Sequence, residues 1–176
     1  MPQSVTVTWT PPSPNWIALN TDASTIQPAG LSFTMGAFRD SLGNWKLGFH
    51  QAIGIMSPLN AELHNILIGI HIAQNHGFEK LIIQTDNFQA ATLLSSTQTN
   101  TNTLPLILAI MAMRVRFQAT EVLWTPHECN MVVDGMSCLS SSLNYDLIIF
   151  DSPPDRIQRL VHHDIAGPPY QRSVPT

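Results

Sequence analysis

The sequence predicts an α/β domain in which helices pack on a mixed sheet. Three observations carry this expectation. Three strand-like segments follow one another through short connections, which favours antiparallel hairpins. After Ser57-Pro58 the apolar period changes from that of a strand to that of a helix. Beyond it, two more strand-like runs are separated by helical stretches, as parallel strands require.

The elements follow in order. Residues 1–15 contain Pro11, Pro12 and Pro14 and read as an extended leader, because prolines so close together fit neither a helix nor a central strand. Trp16–Asp22 has strand composition, and a polar stretch to Pro28 follows it. Leu31–Arg39 is a second strand, Asp40 to Asn44 a turn, and Trp45–Phe49 a third strand. Ser57 is a suitable N-cap and Pro58 suits the first helical position. Leu59, Leu63, Ile66, Leu67, Ile70 and Ala73 then recur at helical spacing until Gly77. Lys80–Gln84 is short and β-branched, as in a strand covered on both faces. Short helices are expected over Asp86–Ser95 and Leu104–Phe117, a last strand over Glu121–Trp124 and a last helix over Asn130–Leu143. The domain proper is expected over residues 16–144. Residues 145–176 read as a proline-containing tail with one helical stretch, Asp155–His162.

Composition narrows the function. With 44% apolar and 11% charged residues, the chain is a folded globular protein rather than a disordered one. Its 8 Lys and Arg against 12 Asp and Glu leave a net charge of −4, and no basic stripe marks a strong sequence-independent nucleic-acid binder. Cys129 and Cys138 supply neither a zinc pattern nor a disulfide framework, so both are expected to stay reduced in an intracellular setting, nucleus or cytoplasm. The first fourteen residues lack the features of a secretory signal, and the longest apolar run, Leu106–Met113, is far shorter than the roughly 20 residues that span a bilayer. No membrane partner is expected, and a monomer is.

Four acids stand at element boundaries. Asp22 closes the first expected strand, Glu62 lies in the second turn of the long helix, Asp86 follows the buried strand and Asp134 lies near the start of the last helix. Sites in α/β sheets gather at such strand ends and helix starts. Four carboxylates brought together would repel one another unless cations neutralised them. Two divalent ions about 4 Å apart can stabilise the attacking and leaving oxygens of a phosphoryl displacement. Each acid also has a simpler explanation: Asp22 as a turn-former, Glu62 as a helix-surface acid, Asp86 as an N-cap with Gln89 completing a capping box, and Asp134 as a charge at the positive end of a helix.

The residues around these acids carry more. Asn20-Thr21-Asp22-Ala23, Ala61-Glu62-Leu63, Thr85-Asp86-Asn87 and Asn130-Met131-Val132-Val133-Asp134 occur in that order and resemble the four motifs of type 1 ribonuclease H. More closely, they resemble the plant, reverse-transcriptase-associated branch of that superfamily, as do Trp9 to Trp16 and Gly36-Ala37-Phe38-Arg39-Asp40 with Gly43 and Trp45. The resemblance covers roughly Trp9 to Ser141. It implies a ribonuclease H-like fold, a five-stranded mixed sheet of order 3-2-1-4-5 flanked by helices. It implies a metal-dependent endonuclease that hydrolyses the RNA strand of an RNA–DNA hybrid. Asp22, Glu62, Asp86 and Asp134 would hold two Mg²⁺, with Mn²⁺ able to substitute.

The chain departs from the branch at several points. Ala23 stands where Gly is usual and Asn87 where Ser is usual. His127 stands where Arg is usual, and Gly135 interrupts the last motif and weakens its helix. The longer histidine-bearing loop of the family is shortened. His127 either stands in for that histidine or is structural. Asn60 and Asn87 either reach a nucleic-acid backbone or serve their own helix turns. Because Leu104–Phe117 carries only Arg114 and Arg116, binding of a hybrid is expected to be weak and salt-sensitive. The alternative function is a non-catalytic ribonuclease H-like module, either a nucleic-acid binder or a retroelement relic. A third reading makes Leu104–Met113 an exposed interaction face, although its apolar character suits the core better.

Overall fold

The hairpin-linked strands form the centre of the sheet. A computed structural model describes residues 2–95, 104–139 and 145–175. Within these, β1 is Gln3–Val7, β2 Ile17–Ile26, β3 Leu31–Arg39 and β4 Trp45–Ile55. β2 and β3 pair antiparallel from Ala18↔Arg39 to Ile26↔Leu31, and β3 pairs antiparallel with β4. The β3–β4 turn is set by Asp40, whose Oδ1 accepts the N–H groups of Leu42 and Asn44 at 2.9 and 3.0 Å.

The long helix α1, Pro58–Asn75, begins where Ser57 and Pro58 predict. Ser57 Oγ accepts the Asn60 N–H at 3.2 Å. β5, Lys80–Thr85, then lies parallel to β2, and β6, Ala119–Trp124, parallel to β5. Between them lie α2, Phe88–Ser95, and α3, Leu104–Arg114. A short 3₁₀ turn at His127–Cys129 leads into α4, Met131–Met136, shorter than the helix expected over Asn130–Leu143 because a second 3₁₀ turn follows at Ser137–Leu139. The end of that expectation lies outside the described residues.

The sheet order is β6-β5-β2-β3-β4-β7, where β7 is Ile148–Phe150. Its first five strands reproduce the expected order, and β7 adds a sixth strand on the outer edge of β4. Helices α1, α2 and α3 cover one face, where Leu19, Phe38, Phe49, Leu63, Ile66, Ile83, Ile107 and Ile110 are fully buried. The apolar stretch of α3 contributes Ile107, Ile110 and Met113 to the core, while Leu108 faces outward. The other face packs Phe33, Met35 and Ala37 against Val132, Val133 and Met136 of α4 and Ile157 and Val161 of α5, Asp155–Ala166.

Leader and tail, set apart in the sequence, are built into this body. β8, Tyr170–Val174, pairs antiparallel with β1 from Gln3↔Val174 to Val7↔Tyr170. Trp9 is buried, and its indole N–H donates to Gln84 Oε1 at 2.7 Å. Gly135 packs against α5: a Cβ there would lie 2.4 Å from Leu160 Cδ1, so a larger residue would require the Leu160 side chain to shift.

The tail is anchored by charge. Arg39 and Asp164 are both buried, with Arg39 NH1 2.6 Å from Asp164 Oδ2. Arg39 NH2 donates to Asn20 Oδ1 at 2.7 Å, and the guanidinium lies 3.5 Å from the centre of the Trp9 ring. Burial pushes the arginine pKa down and the aspartate pKa up, and each charge opposes the shift of the other. Removing one partner leaves the other charged and dry. Asp164→Ala should therefore cost about 3–5 kcal/mol in urea unfolding, and Arg39→Met added to it should recover a large part of that loss. A loss below about 1 kcal/mol would show that the tail is not held by this pair.

Candidate active site

The parallel pairing of β2 with β5 ends at Thr21↔Thr85. Asp22 and Asp86 are the next residues on each chain, so two neighbouring strands deliver carboxylates at the same level. β2 continues to Ile26 against β3, so Asp22 lies within a strand rather than closing one. Asp22 shares a row with Met35 and therefore points to the α4 side, where Asp134 lies. Glu62 comes from the second turn of α1 on the opposite face.

Glu62 is buried and held by the strands. Its Oε1 accepts the hydroxyls of Thr21 at 2.6 Å and Thr85 at 2.7 Å. Asn65, one turn further along α1, donates through Nδ2 to the carbonyls of Asp22 at 2.6 Å and Met35 at 2.9 Å. On the other face Asn130 Nδ2 donates to the Thr21 carbonyl at 2.9 Å, and the Asn130 carbonyl accepts the Asp134 N–H at 3.1 Å. The helix bearing Asp134 is thus fixed to the strand bearing Asp22. Thr21, Thr85, Asn65 and Asn130 were not singled out as site residues from sequence. Their signal was adjacency: two precede the acids directly, one lies three residues beyond Glu62, and one opens the last motif.

The four carboxylates act on one another. The Asp22 pKa is pushed up to about 8, first by burial and then by the negative charges of Asp86, Glu62 and Asp134. That of Glu62 is also raised, chiefly by burial and against the two threonine hydroxyls. His127 lies between two of the acids, with Nδ1 2.9 Å from Asp86 Oδ2 and Nε2 3.7 Å from Asp134 Oδ1. Its pKa is raised, chiefly by the Asp86 hydrogen bond. The Trp124 indole N–H donates to the Asp86 carbonyl at 3.2 Å.

The two candidate asparagines lie at the starts of their helices. Asn87 caps α2, with Oδ1 accepting the Ala90 N–H at 2.9 Å, so the cap is Asn87 and not Asp86. Asp86 is left free to face His127. Asn60 sits in the first turn of α1, its N–H on Ser57 and its buried Oδ1 without a hydrogen-bond partner.

An all-oxygen donor set of four acids suits a hard divalent cation. Burial and, after it, the charges of Asp86, Glu62 and Asp134 raise the Asp22 pKa, and a bound cation would offset those charges. Among the described residues, no three His, Cys, Asp or Glu side chains are arranged as a ready-made cage. Glu62 is turned onto the threonines, while Asp86 and Asp134 flank His127.

Comparison with known proteins agrees with this architecture. A family described as reverse transcriptase-like matches residues 20–138, a span that includes all four acids. A protein of Arabidopsis thaliana named for ribonuclease H is 25% identical over 167 residues, covering 94% of this chain. The chain spans only 27% of that relative's length. Among solved structures, the RNase H1 of Halobacterium salinarum aligns with a TM-score of 0.64 at 13% identity, covering 68% of this chain and 92% of its own. The N-terminal RNase H domain of a Mycobacterium tuberculosis protein gives 0.62 at 17% identity, covering 68% and 88%. LC11-RNase H1, isolated from compost and solved in complex with an RNA/DNA hybrid, gives 0.61 at 14%, covering 67% and 91%. At these identities the structural matches establish the fold alone.

The charge cluster has a consequence for stability. A carboxyl whose pKa is raised on folding keeps a proton that the unfolded chain gives up, so stability falls as pH rises from about 4 to about 8. In EDTA, Asp22→Asn should flatten that decline and stabilise the protein by roughly 1–3 kcal/mol at the alkaline end. An unchanged slope in denaturation midpoints from acid to alkaline pH would refute the raised pKa.

Proposed function

The chain belongs to the reverse transcriptase-like family of the ribonuclease H superfamily, and from that membership we propose that it is an endonuclease that cuts the RNA strand of RNA–DNA hybrids. The observation that carries this reading is that Asp22 of β2, Glu62 of α1, Asp86 of the β5–α2 connection and Asp134 of α4 lie within electrostatic reach, the last three acting on the first. A cluster so unfavourable by itself is understandable where cations complete it.

Asp22, Glu62, Asp86 and Asp134 would hold two Mg²⁺, with Mn²⁺ a workable replacement. When bound, the ions supply a lowered pKa for the attacking water and charge stabilisation for the departing 3′ oxygen. The protein's own groups do the rest. Thr21 and Thr85 orient Glu62 by holding one of its oxygens. Asn65 and Asn130 fix the backbone on either side of Asp22. His127 orients Asp86 through Nδ1 and keeps Nε2 beside Asp134, the atom at which a proton can be exchanged with solvent or a leaving group. Discrimination of RNA from DNA would rest on 2′-hydroxyl contacts in the wide minor groove of the hybrid.

The grip on the hybrid is expected to be weak and salt-sensitive. Of the two arginines in the α3 region, Arg114 is already committed, donating from Nε to Thr120 Oγ1 and from NH1 to the Leu94 carbonyl. A second reading, a non-catalytic nucleic-acid-binding module, draws support from the placement of His127 between Asp86 and Asp134, where its positive form offsets the charge that a metal would otherwise neutralise.

Cleavage of an end-labelled hybrid at low salt separates the two. The nuclease should cut only the RNA strand, should stop in EDTA, and should lose about 100-fold or more of its rate in Asp22→Asn and Asp86→Asn. A folded wild-type protein that binds hybrid but does not cut in Mg²⁺ or Mn²⁺ would establish the non-catalytic module instead.

A further inference from the structure

The segment that carries His127 is held on the site side by the Thr125 N–H on the Thr85 carbonyl at 2.9 Å and by His127 Nδ1 at 2.9 Å from Asp86 Oδ2. It is a 3₁₀ turn of three residues, and Pro126 at its start provides no side-chain cap. Two backbone hydrogen bonds close the turn, Cys129 N–H to the Pro126 carbonyl at 2.9 Å and Asn130 N–H to the His127 carbonyl at 2.8 Å. Behind it the buried Cys129 packs with Trp9 and Ala18. Nothing in these contacts fixes the outer side of the turn, where His127 is half exposed.

That side is met by the C-terminal strand. β8 packs against the turn, and Arg172 NH1 donates to Glu128 Oε2 at 2.8 Å. The same guanidinium stands 5.5 Å from the centre of the Trp124 ring, within cation–π range. Trp124 in turn donates its indole N–H to the Asp86 carbonyl. One arginine therefore touches the residue before and the residue after the Thr125–His127 segment. β8 is in a position to resist movement, because it is paired along its length with β1, and the α5 helix before it is tied to the sheet by Asp164 and Arg39. Both β8 and α5 lie outside residues 20–138, the span that matches the family.

We propose that the paired chain ends form a buttress for the site, in which Arg172 is a positioning residue: by holding Glu128 and Trp124 it keeps His127 between Asp86 and Asp134. The positioning role rests on the nuclease reading above, whereas the mechanical role does not. The Arg172–Glu128 pair is about 70% screened from solvent on each side, and a pair that is still partly wet contributes little to global stability. Its effect should be local, which makes it testable without unfolding the protein.

The experiment uses the full chain and the variants Arg172→Met, Arg172→Lys and Glu128→Gln. Methionine keeps the apolar stem and removes the charge, while lysine keeps the charge and removes the planar group. Amide hydrogen exchange is read at Cys129 and Asn130, whose N–H groups close the turn, with the amides of β3 and α1 as the global reference. In Arg172→Met and Glu128→Gln the turn amides should exchange about tenfold faster or more while the reference amides stay unchanged. In cleavage assays kcat should fall about tenfold with KM within about twofold, because orientation rather than binding is lost. Arg172→Lys should recover most of both effects.

Unchanged exchange at the turn overturns the buttress. Faster exchange with unchanged kcat overturns the positioning role. Exchange can be read whether or not the protein cuts, so a wild type without cleavage refutes the nuclease reading and leaves the buttress to stand or fall on exchange alone.

Discussion

A guanidinium shut off from water must have its charge answered inside the protein, and in this chain that requirement joins the ends to the middle. Arg39 lies at the end of β3 with no exposure. Its partners come from three other parts of the sequence: Asp164 from α5, Asn20 from β2 and the face of Trp9 from the leader. The network continues through Asn20 and Trp9, which both donate to Gln84 Oε1, and through Asn20 to Asn130 at 3.4 Å. A buried polar network of this kind favours one arrangement, because a slip would break several of its bonds at once, even though Arg39 Nε and Asp164 Oδ1 are buried without a partner among the described residues. Here it sets the level of β2 against β5 and the place of Asn130, and therefore the places of Asp22 and Asp134.

The site itself is built against an electrostatic cost. Burial and three neighbouring acids all oppose ionisation of Asp22. The protein meets this with neutral donors and with one titratable cation. Two threonine hydroxyls take one oxygen of Glu62, two asparagines take backbone carbonyls beside Asp22, and His127 faces both Asp86 and Asp134. None of these contacts requires more basic residues, which is consistent with a site in a chain of net charge −4.

Much of this was legible in the sequence. The change of apolar period at Ser57-Pro58 located the start of α1 to the residue, the β-branched run at Lys80 located β5, and the order of the four motifs placed Glu62 on α1, Asp86 just past β5 and Asp134 on α4. Element ends were read less well. β2 runs on to Ile26 and β4 to Ile55, because pairing with β3 extends both strands past the point where the local composition marks an end. The capping role expected of Asp86 belongs to Asn87, since Asp86 is engaged by His127 and only one of two adjacent side chains can turn onto the helix.

The sequence alone determined the class of fold, the order of its elements from β2 to α4 and the acids available for chemistry, because apolar periodicity, caps and motifs are local and can be read within a few turns of chain. Tertiary structure decided that the leader pairs with the tail, that Arg39 meets Asp164, that Thr21 and Thr85 share Glu62, and that Arg172 reaches the turn bearing His127. These contacts join polar residues distant in sequence, such as Arg39 and Asp164, 125 positions apart. Neither partner has a periodic pattern that points to the other. Which polar groups meet depends on which strands become neighbours, and that is settled only when the two faces of the sheet bury their apolar side chains together.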